Sequence, residues 1–267
     1  MIQQAIGLYS KSVGSGEVVL MIHGIMSDHA IFNRVQRILG KEFKTITYDR
    51  RGYGMESDSR YRDYSIKIQA EDAIEVLRQY TNEPVYIIGD STGGSIAIQI
   101  AILYPRLVKG IFLIETTIPC DNLNLSCLHA WQDGVHRIAK TKDIYKIVPL
   151  FAKITNAKPV AQKSKLKDIK KTIFNIRNYI YGEMNATIKT TFSYDIIKKI
   201  TCPIVMGISS EGKNLPFGIG ARKTADFFGW RVVYLSGHHN TIQEYPYEFF
   251  YQFKTIIKWF IENKVAR

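Results

Sequence analysis

An apolar run from Val85 to Ile88 leads without a break into Gly89-Asp90-Ser91-Thr92-Gly93, and a second glycine, Gly94, opens a stretch of small and apolar residues reaching Tyr104. A strand that turns sharply into a helix while lifting a serine hydroxyl clear of the backbone tolerates no bulk at the flanking positions. Gly89, Gly93 and Gly94 supply that room. Peptide N–H groups at the start of the following helix then face any negative charge developing beside Ser91. The pattern reads as a nucleophile elbow. It is not a nucleotide loop, because Gly-x-Gly-x-x-Gly and a terminal Gly-Lys-Ser/Thr are both missing from it.

The rest of the chain alternates strands and helices around this turn. Glu17 to Gly24 is a continuous apolar strand ending in glycine, as expected of a strand buried on both faces of a parallel sheet. Thr45 to Tyr48 is a shorter strand, closed by Asp49-Arg50-Arg51-Gly52-Tyr53-Gly54. Ser65 is placed to cap a helix reaching Tyr80, with Ile66, Ala70, Ile74 and Leu77 on one stripe. After Ser91 come a helix over Gly94 to Tyr104 and a strand over Val108 to Ile114. The rhythm resumes with a strand over Pro203 to Ser209, a helix around Ala221 to Phe228, a strand over Trp230 to Leu235 and a last helix from Tyr247 to Lys264. Such alternation implies a doubly wound α/β fold with a mainly parallel sheet and right-handed crossovers. Functional groups then gather at the carboxyl ends of the strands.

From Ile118 to Ile200 the apolar residues instead recur at helical spacing, as in Ile144, Ile147, Val148 and Phe151 and in Ile169, Ile173, Ile176 and Ile180. This divides the chain into a core, residues 1–117 and 201–267, and a helical insertion, residues 118–200. The insertion holds the charge asymmetry: of the net +12, it carries 13 Lys and 2 Arg against 6 Asp or Glu, which is +9. A surface of that sign suits an anionic or carrier-bound substrate, and equally a solvated lysine-rich helical face. No nucleic-acid motif accompanies the charge, so nucleic acid is not an expected partner.

A chain of 267 residues at 46% apolar composition can bury one large core. No stretch approaches the roughly 20 apolar residues of a membrane span. The first residues, Met1 to Gly7, lack the basic and apolar regions of a secretory signal, so a cytoplasmic location is expected. Cys120, Cys127 and Cys202 have no metal-ligand spacing and read as reduced structural thiols, with a reactive Cys120 as the alternative. No cofactor or metal is implied, and oligomeric state is not legible.

Four strand-end segments carry a resemblance: His23-Gly24, Asp49-Arg50-Arg51-Gly52-Tyr53-Gly54, Gly89-Asp90-Ser91-Thr92-Gly93 and Gly237-His238-His239-Asn240. Together, in this order, the chain resembles the α/β-hydrolase superfamily over its whole length, with residues 118–200 corresponding to a cap. The resemblance implies Ser91 as nucleophile and backbone N–H groups of Ile25 and Thr92 as the oxyanion hole. Two histidines compete as base: His238 follows the glycine, whereas His239 leads His-Asn-Thr-x-x-Glu-x-Pro, the usual downstream spacing, and is preferred. The acid departs from the family, since Gly212 stands in Ser209-Ser210-Glu211-Gly212 where aspartate is expected. Glu211 is the nearest carboxylate and is preferred; Glu115, at the end of the strand before the insertion, and no acid at all are the alternatives. Asp90 is expected to turn away from the cleft, and His23, Arg50 and Arg51 to tie loops together.

The reading that follows is a serine hydrolase cleaving an ester or thioester of a small-molecule acyl substrate through an acyl-enzyme. The alternative is a ligand-binding or receptor-like homologue with little or no turnover, motivated by the missing aspartate.

Overall fold

Sequence runs without polar alternation become the inner strands of one seven-stranded sheet, buried on both faces. The computed structural model describes residues 7–54, 63–128, 133–134, 137, 140 and 166–263. The strands are β1 (Ser10–Val13), β2 (Val18–Ile22), β3 (Lys44–Tyr48), β4 (Val85–Asp90), β5 (Val108–Ile114), β6 (Ile204–Ser209) and β7 (Arg231–Leu235). Their spatial order is β1-β3-β2-β4-β5-β6-β7, parallel except for β1, which runs antiparallel to β3. The chain winds toward one edge from β2 to β3 and toward the other from β4 onward. A crevice therefore opens outside the carboxyl ends of β2 and β4, where Gly24 and Ser91 lie.

Helices cover both faces. They are α1 (Asn33–Leu39), α2 (Ile66–Arg78), α3 (Thr92–Leu103), α4 (Leu166–Asn178), α5 (Met184–Lys189), α6 (Tyr194–Ile197), α7 (Pro216–Phe228), α8 (Thr241–Glu244) and α9 (Pro246–Glu262). The Ser65 side chain accepts the Ile68 N–H, so the expected cap of α2 is formed. α3 starts at Thr92, two residues before the sequence reading placed it, which puts the Thr92 N–H in the first turn. Pro216 opens α7, five residues ahead of the expected Ala221, at the position where a missing N–H costs nothing. β1 was not expected: Ser10-Lys11-Ser12-Val13 is an edge strand with no apolar run to reveal it.

Alternate residues of β2 point to opposite cores. Leu20 and Ile22 join Ile74, Ile96 and Ile100 under α2 and α3. Val19 and Met21 join Phe112, Phe249, Phe253 and Phe260 under α1 and α9. Phe253 is fully buried, and truncating such a residue costs about 3–5 kcal/mol. A third, smaller cluster lies over the strand ends, where Met26 and Tyr53 from the core loops meet Ile176, Tyr179, Ile180 and Met184. Those last four residues come from the segment between β5 and β6, where α4, a π-helical turn over Tyr179–Glu183, α5 and α6 follow one another. Trp131, Ile144, Ile147, Val148 and Phe151 lie outside the described residues.

Candidate active site

Ser91 sits between β4 and α3 at φ 51° and ψ −121°, a backbone conformation that costs about 1–3 kcal/mol for a residue with a side chain. Its N–H donates to the Ile114 carbonyl at 2.8 Å, and its carbonyl accepts the Gly94 N–H and the Thr116 hydroxyl, each at 2.9 Å. The glycines are required by distance. A Cβ on Gly93 would lie 2.2 Å from the Ile22 carbonyl oxygen, and one on Gly89 would lie 2.5 Å from the Gly94 Cα. The elbow is therefore clamped between β2, β4 and β5, with its serine partly exposed at the crevice.

The register of β4 on β5 pairs Asp90 with Ile114, so the next residues on the two strands, Ser91 and Glu115, leave the sheet side by side. Glu115 also has positive φ, 43°. Its carboxylate is buried: Oε2 accepts the Nδ1–H of His239, and Oε1 accepts the Ser209 N–H at 2.9 Å together with the Ser209 hydroxyl. Burial raises the Glu115 pKa, but the hydrogen bond and charge of His239 and the two Ser209 donors outweigh it and hold the carboxyl below the usual range. For His239 burial works downward, and the Glu115 hydrogen bond and charge, with Asp90 adding to them, raise its pKa above the ordinary value. The imidazole is 16% exposed and its ring lies 4.6 Å from that of Phe217.

Glu211 is not the carboxylate on His239. Its N–H donates to the Gly237 carbonyl at 2.9 Å, which turns the residue along the surface, and the side chain is exposed. The neighbouring glycine explains the departure from the family pattern. A Cβ on Gly212 would lie 2.6 Å from Glu115 Oε1 and 2.3 Å from Ser209 Oγ. The space that an aspartate at this position would enter is filled by a carboxylate reaching across from β5. Of the two histidines, His238 is held in its own loop, Nδ1 lying 3.2 Å from Glu244 Oε2 and its backbone N–H 3.0 Å from the same oxygen. His239 is the one brought to Glu115.

Asp90 does not turn away as expected. Its carboxylate lies beside Gly24, Oδ2 standing 3.3 Å from where a Gly24 Cβ would be, and feels the charges of His239 and Glu115. Burial pushes its pKa up to about 6, against the lowering charge of His239. His23 does tie its loop. Nε2 accepts the Arg50 N–H at 3.0 Å, so the ring proton is on Nδ1, which donates to the Gly24 carbonyl at 2.7 Å. Burial, reinforced by Arg50, keeps His23 well below the ordinary histidine pKa and neutral. Arg51 pairs bidentately with Asp72, at 2.6 and 2.7 Å. Arg50 makes a second, fully buried pair with Glu183, at 2.6 Å, which the sequence reading did not foresee. The available signal was that Glu183 is the one glutamate between Ile118 and Ile200, set among apolar residues.

Burial pushes the Cys120 thiol up to about 12, which leaves it unreactive at neutral pH. Asp28, His29 and Asp49 offer ligand atoms within 4.8 Å of one another. Those donors are already engaged: Lys171 Nζ lies 3.1 Å from Asp28 Oδ1, and His29 Nδ1 lies 2.7 Å from Asp49 Oδ1. No helix among the described residues is long and apolar enough to cross a membrane.

Comparison with known proteins places the chain among proteins of one fold. The chain is similar to the Bacillus subtilis (strain 168) hydrolase YraK, 24% identical over 225 residues that cover 82% of this chain and 76% of that protein. It is 37% identical over 105 residues to the Mycobacterium tuberculosis protein Rv2715, a match spanning 39% of this chain and 30% of that one. Among solved structures, an esterase from Exiguobacterium antarcticum superposes with a TM-score of 0.71 at 19% identity, covering 94% of this chain and 95% of that one. The N-acyl homoserine lactonase AidH, complexed with N-butanoyl homoserine, gives a TM-score of 0.72 at 22% identity over 100% of this chain and 97% of that one. A family model described as the alpha/beta hydrolase fold matches residues 17–170, more than half of the chain and through the Ser91 elbow, so the chain belongs to the alpha/beta hydrolase fold family.

Proposed function

We propose that the protein is a serine hydrolase that cleaves carboxylic esters through an acyl-enzyme, with Ser91 as nucleophile, His239 as base and Glu115 as the acid that orients it. The observation that carries this reading is the buried Glu115 carboxylate on His239 Nδ1, one residue beyond the β5 register partner of the elbow. That bond fixes the imidazole tautomer with Nε2 as the free acceptor, the form a general base requires. Ser91 Oγ attacks the ester carbonyl and gives its proton to His239 Nε2. The tetrahedral oxyanion accepts the N–H groups of Ile25 and Thr92, the latter in the first turn of α3, where a helix start leaves its N–H groups without intrahelical acceptors. Collapse of the intermediate expels the alkoxide, which takes the proton back from His239. A water molecule, deprotonated by the same imidazole, then releases the acid and restores Ser91.

Residues 118–200 act in this reading as a cap over the crevice. Oxygen esters and lactones are the preferred substrates, because the AidH and Exiguobacterium structures, described as a lactonase and an esterase, share the fold. The net +9 of the cap segment makes an acyl thioester of an anionic carrier the charged member of the test panel. The receptor-like alternative loses its motive, since Glu115 fills the place that Gly212 leaves open.

The test combines a fluorophosphonate probe with a panel of p-nitrophenyl esters, lactones and acyl thioesters. Wild type is expected to label at Ser91 and to show a burst of p-nitrophenol; Ser91→Ala is expected to lose labelling and on the order of 10⁴-fold or more in kcat. Undiminished turnover in Ser91→Ala would overturn the reading.

A further inference from the structure

Arg50 is a fully buried guanidinium whose contacts go in two directions. Nη1 donates to Glu183 Oε1 at 2.6 Å and to Gln69 Oε1 at 2.5 Å. Nη2 donates to Glu183 Oε2 at 3.2 Å and to the Gly24 carbonyl at 2.9 Å. Glu183 is held in turn by the Tyr53 hydroxyl and by Gln69 Nε2 at 2.9 Å. The pair thus joins the π-helical turn of the inserted segment, which ends at Glu183, to one backbone carbonyl of the core. Gly24 is also the residue whose Cβ position lies 3.0 Å from Ser91 Cβ.

A carbonyl and the N–H of the same trans peptide point in opposite directions in one plane. The Gly24 carbonyl takes two donors from one side, Arg50 Nη2 and His23 Nδ1. The other end of that peptide is the Ile25 N–H. The Asp90 carboxylate lies close by, its Oδ2 3.3 Å from where a Gly24 Cβ would stand. A charged donor on the carbonyl also polarises the unit and makes its N–H a stronger donor. The Ile25 side chain packs on the third cluster, with Tyr179, Ile180 and Met184 of the inserted segment.

We propose that the buried Arg50–Glu183 pair is a positioning device that holds the Gly24–Ile25 peptide plane with its N–H aimed at the oxyanion, so that seating the inserted segment completes the anion hole. The inference rests on the serine hydrolase reading above. Arg50 and Glu183 act through the peptide and touch no reacting atom. Their loss therefore lowers kcat and the affinity for an oxyanion mimic, and leaves ground-state binding in place.

The decisive variant is Arg50→Met/Glu183→Met, because replacing a buried ion pair by apolar side chains of similar size preserves folding where removing one partner does not. Expected against p-nitrophenyl esters is a kcat loss of about 10–100-fold with KM within twofold, and an equal loss of affinity for a trifluoromethyl ketone. A second readout does not depend on turnover. Labelling glycine carbonyls with ¹³C and isoleucine amides with ¹⁵N leaves four peptides visible, at Gly24–Ile25, Gly110–Ile111, Gly207–Ile208 and Gly218–Ile219. The first signal is expected to move in the double variant and the other three to stay. Where the double variant does not fold, Glu183→Gln takes its place, with the same signal moving and kcat about fivefold lower. Unchanged kcat in the folded variant, or a fall in kcat with the Gly24–Ile25 signal unmoved, overturns the inference while the hydrolase reading stands. Wild type that neither labels at Ser91 nor hydrolyses any ester overturns both.

Discussion

The turns that follow β5 and β6 began with the same opportunity, since each leaves the sheet at its carboxyl end within reach of the His239 loop. The turn after β6 offers a solvated glutamate: Glu211 is exposed and its backbone is committed to Gly237. The turn after β5 offers a strained, buried one: Glu115 has a φ of 43° and a fully buried side chain with three donors on its carboxylate. The contrast shows that sequence position does not decide which carboxylate meets His239; a preorganised pocket of donors does. Ser209, the last residue of β6, contributes to that pocket by donating to the Glu115 carboxylate of the neighbouring strand end. The β6 turn supplies part of the cradle and not the carboxylate.

Neutralising each glutamate in turn separates the two strand-end turns by the largest effect. Glu115→Gln is expected to lower kcat by about 10³–10⁴-fold, as amide substitution favours the wrong imidazole tautomer. Glu211→Gln is expected to stay within twofold. Steady-state ester hydrolysis by the two variants checks both, and equal losses would return the acid to the β6 turn. Next in size is a transplant. Gly212→Asp alone sets a second side chain 2.6 Å from Glu115 Oε1, so a loss of stability and of at least tenfold in kcat is expected. Gly212→Asp with Glu115→Ala frees the space, and is expected to recover at least tenfold over Glu115→Ala alone.

The sequence exposed the scaffold far better than it exposed this choice. Continuous apolar strands, helix stripes and the glycines beside Ser91 are local patterns with local causes, and β5 was placed to the residue. Ser10–Val13 escaped because an edge strand buries too little to need an apolar run. The carboxylate partner of His239 was hidden for a different reason. Which of Glu115 and Glu211 meets His239 is set by a strand register, a positive φ and a missing Cβ at Gly212, quantities that exist only once three distant segments are packed. Glu183 was hidden in the same way, because its partner Arg50 lies 133 residues earlier.

A smaller effect follows from pH. Glu115, lowered from an ordinary 4.5, contributes stability that is present above that value and lost as pH falls through its folded pKa. His239, raised from 6.5, contributes stability that is present below that value and lost as pH rises through its folded pKa. The pair therefore stabilises the fold most between about pH 4.5 and 6.5. Turnover needs the neutral imidazole and is expected on the other side, with an acidic limb of kcat/KM above pH 6.5. In Glu115→Gln that limb is expected to move down and the melting temperature to lose its decline above pH 6.5. A limb that stays in place would mean the Glu115 charge does not set the base.

The smallest effect on rate concerns the third carboxylate near His239. Asp90, raised to about 6, favours its neutral form in the folded state, so the cost of ionising it is absent at low pH and grows between pH 3.8 and 6. Asp90→Asn keeps the size of the side chain and cannot ionise. It is expected to be more stable than wild type by about 1–3 kcal/mol at pH 7.5, and equal to it near pH 4, in urea unfolding. Removing a negative charge that raises the His239 pKa also shifts the acidic limb of kcat/KM downward, by less than Glu115→Gln does, because Glu115 adds a hydrogen bond to its charge. Should Asp90→Asn shift the limb further than Glu115→Gln, the elbow carboxylate and not the β5 carboxylate would be the one that governs the imidazole, and the contrast between the two turns would have been drawn at the wrong pair.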